Sequence, residues 1–362
     1  MSTTTSPPTP TESVEPSNGT KSLVRGTLPR WASWGVLGAA AVLAALIARL
    51  LGFGVAPFVL LTAVLYAVGI SGWSRWIEGG RKATDRTFTA VVTSAFLLAL
   101  TPLVSVVVTV ISKGMERFDG RFFTYSMRGV VDDGGGAYHA IMGTLITSGL
   151  ATLMSVPIGL ATAIYLVEYG HGRLARAITF FVDVMTGIPS IVAGLFAYAL
   201  FALVFGPGTV NGFAGAVALS VLMIPIVVRS SEEMLKIVPD DLREAAFALG
   251  TPKWKVILRI VLPTAVAGIS TGVTLAIARV VGETAPLLIA TGATGSTNLN
   301  PFSGQMATLS VFSYYEYASP GVPIDPSLDR AWTAALTLML IVMVLNLVAR
   351  SISLLFAPKA GR

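Results

Sequence analysis

Arg279 and Glu283 stand four residues apart within the apolar run 264–291, a spacing that places both on one face of a helix, with Arg279 about midway along it. An ionised side chain at the centre of a membrane helix costs roughly 2.5–3.5 kcal/mol on insertion scales. Two readings are open. One is a structural ion pair that fastens this helix to a neighbour. The other is an anion pathway in which the guanidinium fork meets phosphate-like oxygens in bidentate geometry and Glu283 neutralises it when the path is empty. Intramembrane ionisable groups usually line a path, which favours the second. Metal and thiol chemistry have little to draw on: the chain has no cysteine and two histidines, His139 and His171, about thirty residues apart, a poor ligand set. No G-x-x-x-x-G-K-[ST] phosphate loop occurs, and the polar loops hold no paired acid and base. The chain is therefore read as a transport subunit and not an enzyme.

The second constellation is a charged hairpin between two apolar runs. Asp240 to Leu249 reads as a helix after Pro239, with Asp240 or Asp241 free to cap its N–H groups and acidic charge at the positive end of the dipole. Leu242, Ala245, Ala246 and Leu249 fall at i, i+3, i+4 and i+7 on one face. Gly250 sits where the helix needs a left-handed residue to stop. Thr251 then reads as an N-cap and Pro252 as the first position of another helix. An alanine-rich face is poor at inserting into lipid, so docking into a protein groove is the better reading than lying on the bilayer. Asp241, Arg243, Glu244, Ala245, Ala246, Leu249, Gly250 and Pro252 are the expected contact residues.

The elements that hold these groups follow from composition. Of 362 residues 54% are hydrophobic and 12% charged, with mean hydropathy +0.75; a soluble domain averages about 25% charged. The apolar residues lie in blocks of about 20, long enough to cross a hydrocarbon core about 30 Å thick. This predicts an all-α polytopic membrane protein with about eight transmembrane helices, near 32–51, 55–73, 89–112, 141–166, 178–205, 212–230, 264–291 and 331–354. The net charge of +6 is explained by positive-inside loops and not by nucleic acid. Residues 1–30 are too polar to fold and read as a disordered cytoplasmic tail. The run 32–51 is long for a signal sequence and reads as an uncleaved span. The Lys/Arg bias puts both termini in the cytoplasm. Two outside segments are long: 113–140, with the acidic turn Asp132-Asp133-Gly134-Gly135-Gly136, and 292–330, whose apolar part from Met306 to Tyr317 suits a short interfacial or re-entrant helix. Gly268 and Gly272 form a G-x-x-x-G that predicts a close helix contact, and Pro157, Pro189 and Pro225 interrupt other spans.

With those residues in view, Glu244-Ala245-Ala246, Gly250, Ile260 and Leu262-Pro263 match the EAA loop of the permeases of binding-protein-dependent ABC importers. The chain further resembles the phosphate-specific PstA type through Ile164 to Gly170, Pro189 to Phe196, Ile224 to Arg229, Glu233 to Lys236, Leu242 to Lys255 and Ala276 to Leu287. The resemblance covers about 89–356. It implies a MetI-like permease domain at 89–356 with six spans and a coupling loop at 231–263, an extra N-terminal helical hairpin and linker at 31–88, and a short cytoplasmic tail at 357–362. It also implies a place in the bacterial plasma membrane, a sister permease PstC, two copies of the ATPase PstB holding ATP and Mg, an extracytoplasmic phosphate-binding protein PstS docking on the outside loops, and inorganic phosphate passing Arg279 and Glu283. No cofactor is expected on this chain itself. A PstC-type subunit, or a permease for phosphonate, sulfate or molybdate, is the alternative.

Overall fold

Long apolar runs free of turn residues satisfy their backbone hydrogen bonds internally only as helices in lipid. The computed structural model, which describes residues 28, 29, 31–52, 54–131 and 133–356, contains helices and no strand among them. The expected tail over 1–30 (Leu28 and Pro29 apart), the tail 357–362 and Asp132 of the acidic turn lie outside the described residues. The chain divides into two compact units, one up to Val107 and one from Val108, a division that falls inside a helix.

The first unit holds α1 (Ala32–Leu51), α2 (Val55–Ile77) and most of α3 (Gly80–Gly114). Gly52 stops α1 in the left-handed region at φ +67°, its N–H returning to the Ala48 carbonyl, and α2 then packs along α1. Between α2 and α3 the Glu78 carboxylate collects four donors: the Leu28 N–H at 2.8 Å, Ser74 Oγ at 2.8 Å, and Arg86 through Nε at 2.6 Å and Nη2 at 2.9 Å. The Arg86 hydrogen bond, helped by Leu28 and Ser74 against the opposing effect of burial, holds Glu78 down at about 2 from an ordinary 4.5. Because α3 starts at Gly80, most of the polar linker expected at 74–88 is helical.

The second unit continues with α4 (Gly120–Thr124), α5 (Tyr138–Ile164), α6 (Gly172–Thr186), α7 (Ser190–Phe205), α8 (Gly212–Ile237), α9 (Asp240–Ala248), α10 (Lys253–Val256), α11 (Leu262–Val281), α12 (Ala285–Ala290), α13 (Leu309–Ala318) and α14 (Ile324–Phe356). Two π-turns extend helices without a break: Tyr165–Tyr169 after α5, and Ile257–Val261 joining α10 to α11. Helix α8 is the central post, packed against α5, α6, α7, α11 and α12. Its Leu219, Met223 and Val227 share a core with Ala151, Ala276, Val280, Leu287 and Val311. The G-x-x-x-G of α11 meets α8: a Cβ at Gly272 would stand 2.5 Å from the Ser230 Cβ, and one at Gly268 2.2 Å from the Met234 sulfur. Small residues here let two backbones approach.

Among the described residues seven helices are long and apolar enough to cross a membrane, or eight if α6 and α7 count as one bent span. That pair corrects the single span expected at 178–205. The helices turn by 108° at the break, because Pro189 offers no N–H and forces Ile188 out of the helical region. The span expected at 264–291 is also interrupted, after Val281. Pro286 has no N–H to return to the Gly282 carbonyl and sits in the first turn of α12, where proline is tolerated. Pro157 and Pro225, by contrast, lie inside α5 and α8 without breaking them. The expected short helix near Met306–Tyr317 is α13, with Leu309 to Phe312 buried.

Candidate functional site

The hairpin is fixed at its turn by a complete Schellman closure. Gly250, at φ +72°, sends its N–H to the Phe247 carbonyl at 2.9 Å, and the Thr251 N–H reaches the Ala246 carbonyl at 3.2 Å. The caps differ from expectation. The N-caps are Pro239 and Pro252, neither with a side-chain hydrogen bond, because Asp240 spends its carboxylate on Arg243 at 2.9 Å. Thr251 spends its N–H closing the turn. Ala246 is buried, whereas Asp241, Glu244, Ala245, Leu249, Gly250 and Pro252 are exposed. Leu249 is 86% exposed, and Leu242, Phe247 and Trp254 are likewise exposed apolar side chains in a charged loop. Phe247 and Trp254 were not among the expected contact residues. Their signal was two aromatics in a segment too polar to need them for a core.

Arg243 is placed otherwise than the contact reading supposed. Its side chain turns inward, 13% exposed, donating to the Leu235 carbonyl at 3.0 Å, the Val238 carbonyl at 2.6 Å, Asp240 and Glu168 Oε1 at 3.1 Å. Two of these acceptors lie at the C-terminal end of α8, where carbonyls lack helical partners. Lys253 donates to the Glu168 carbonyl and lies 4.7 Å from the centre of the Tyr169 ring.

At the other end of α11 the two expected pathway residues are separated by the helix end. Arg279 is exposed in the last turn of α11, where the dipole favours a cation. Glu283 is half-buried in the break, its N–H on the Val280 carbonyl at 3.1 Å and its carbonyl accepting from Ser310 Oγ at 2.8 Å. No ion pair joins them among the described residues, so the mutual neutralisation expected of them is not formed here. Beside the break lies a cavity of about 590 Å³ lined by Thr284, Ser310, Ser313, Tyr314, Tyr317 and Trp332. A further intramembrane guanidinium, Arg229 of α8, is neutralised by Glu232 at 2.8 Å and by Asp183 of α6. Arg279 is thus exposed, and Arg229 is not the cation that its own chain leaves open.

These features lie in a stretch with known kin. A family model described as binding-protein-dependent transport system inner membrane component matches residues 155–362. The phosphate transport system permease protein PstA 1 of Mycobacterium tuberculosis (strain ATCC 25618 / H37Rv) is 47% identical over 275 residues, covering 75% of this chain and 88% of that protein. The chain belongs to the PstA family of binding-protein-dependent inner membrane components. A PstA of Yersinia pestis is 37% identical over 286 residues, 78% of this chain and 93% of its own. Among solved structures, a bacterial alginate ABC transporter in complex with an alginate pentasaccharide-bound periplasmic protein aligns with TM-score 0.55 and 16% identity over 75% of this chain and 94% of its own, a likeness of fold alone. The hairpin, Arg229, Arg279 and Glu283 of this PstA-family chain all fall within the residues that the family model matches.

Proposed function

We propose that this chain is the permease subunit of an ATP-driven phosphate importer, lining with a sister permease of the PstC type the path for inorganic phosphate across the bacterial inner membrane. It does no hydrolysis itself. The observation that carries the reading is the hairpin: a rigid turn displays Leu242, Phe247, Leu249 and Trp254 uncovered at the end of membrane helices, as a groove-docking element must. A PstB-type ATPase, present in two copies with ATP and Mg, docks there, on the cytoplasmic side that also holds both termini. A PstS-type binding protein delivers phosphate from the opposite side. Phosphate is favoured over other oxyanions by the relatives' names, since a guanidinium alone does not separate tetrahedral anions.

The deciding experiment co-purifies the transporter, reconstitutes it in vesicles, and compares ATP hydrolysis with phosphate-, sulfate- and molybdate-loaded binding protein. Selective stimulation by phosphate is expected. Stimulation by another oxyanion, or none, overturns the assignment.

A further inference from the structure

The hairpin has two attachments to the membrane helices. One is covalent: α10 runs through its π-turn into α11. The other is built from side chains, and both helices of the hairpin reach the same turn of α5 to make it. From α9, Arg243 spends three bonds close to home, on Leu235, Val238 and Asp240, and its fourth on Glu168, 75 residues back in the chain. From α10, Lys253 donates to the carbonyl of that same Glu168 and lies over the neighbouring Tyr169 ring. Glu168 is buried, its side chain 7% exposed, and sits in the π-turn that ends α5, a geometry uncommon in helices and concentrated at functional positions. Under the polar contacts Ala163, Leu235, Val238, Ala246, Val256 and Val261 close into one apolar cluster, so the ends of α5, α8 and the hairpin are packed together.

We infer that Glu168 is a positioning residue for energy coupling, holding the hairpin in register with α5 so that displacement of the docking surface reaches the α5–α8 pair as well as α11. This rests on the importer reading above. Helix α5 can transmit such a displacement because it lies hard against α8, where a Cβ at Gly159 would stand 2.8 Å from the Val227 Cβ. A covalent connection to α11 alone would tilt one helix; the Glu168 tether adds the pair at the centre of the unit. Apolar contact transmits a push, but it sets rotation and register weakly. A charged hydrogen bond to a buried carboxylate sets both.

The test uses the complete transporter in vesicles and reads phosphate uptake per ATP hydrolysed. Glu168→Gln keeps size and an amide oxygen that can accept from Arg243 but removes the charge. The other three acceptors of Arg243 are untouched, so assembly with the ATPase is expected to persist. Uptake per ATP is expected to fall at least about fivefold, the lower end of typical inter-site coupling. Glu168→Asp keeps the charge on a shorter arm and is expected to lie between wild type and Gln. An unchanged ratio in assembled Glu168→Gln overturns the inference, as does a loss of ATPase binding in step with uptake, which makes Glu168 only a support for the docking surface. Should Glu168→Gln not assemble, the Asp variant decides, and a wild-type ratio there overturns the inference equally. Absence of phosphate-stimulated hydrolysis in the wild type is a different result: it removes the importer reading first.

Discussion

An exposed guanidinium in a membrane-spanning helix persists only if something beyond its own chain solvates it. Arg279 is exposed in the last turn of α11, with Glu283 half-buried in the break and no ion pair between them among the described residues. Losing a charge-assisted contact is worth about 1.5–3 kcal/mol, or about 10- to 100-fold. Arg279→Gln is therefore expected to assemble normally and lower phosphate uptake by about that factor, with Arg279→Lys a poor rescue because a point charge lacks the fork. Radiolabelled uptake in vesicles measures this, and full uptake by the Gln variant sinks the pathway role. Glu78 calls for a pH measurement. Its folded value of about 2 lies below the ordinary 4.5, so its contribution to stability is present above about pH 4.5 and is lost as pH falls toward 2. The Tm advantage of the wild type over Glu78→Gln, followed in detergent, is expected to be full near neutrality and to shrink across that acid window. A difference that ignores pH would show that the Arg86 pairing adds nothing. Types and spacing flagged Arg279 from sequence alone. Glu168 escaped notice because its partner Arg243 lies 75 residues away, and Glu78 because its main partner Arg86 lies across the turn between two helices, in what read as a polar linker.

Among elements, the turn of the hairpin was legible because its signal is local: Gly250 is the left-handed stop that the helix pattern requires. The face read for α9 is split, since Ala246 is buried while Leu242, Ala245 and Leu249 are exposed. Its caps were misread because the carboxylate of Asp240 prefers Arg243, a partner three residues on, to the helix N–H groups. The two breaks, at 187–189 and 282–284, were hidden by hydropathy, which averages over a run and registers neither a missing N–H nor a 108° turn. Pro189 and Pro286 were their only marks. Gly250 also yields a prediction at this scale. Proline fixes φ near −65°, against +72° here, and deletes the N–H that meets Phe247. Gly250→Pro therefore opens the closure between α9 and α10 without touching a span. Phosphate uptake per ATP is expected to drop several-fold while the permeases still co-purify; coupled uptake by this variant would refute the idea that the fixed turn transmits the stroke.

For the whole molecule, the question is what the first unit contributes. The fold class and a count of about eight spans were readable from apolar blocks, because bilayer thickness dictates block length. The role of α1 and α2 was not, because lipid-facing sequence encodes little beyond hydrophobicity. Three observations bear on whether transport depends on the first unit. The family model begins at residue 155, the first unit is compact by itself, and the hairpin, Arg279 and the cavity beside the break all belong to the second. Removing residues 1–79 leaves α3 to start at its own first residue, Gly80. It also frees Arg86, already 30% exposed, to be solvated and not stranded when Glu78 is lost. The truncated chain is thus expected to assemble with its partners and keep phosphate uptake within about twofold of wild type, since cutting solvated or lipid-facing surface usually costs little. Uptake and co-purification measured together decide it. A truncated complex that assembles yet does not transport would move part of the path, or of its gating, into the first unit.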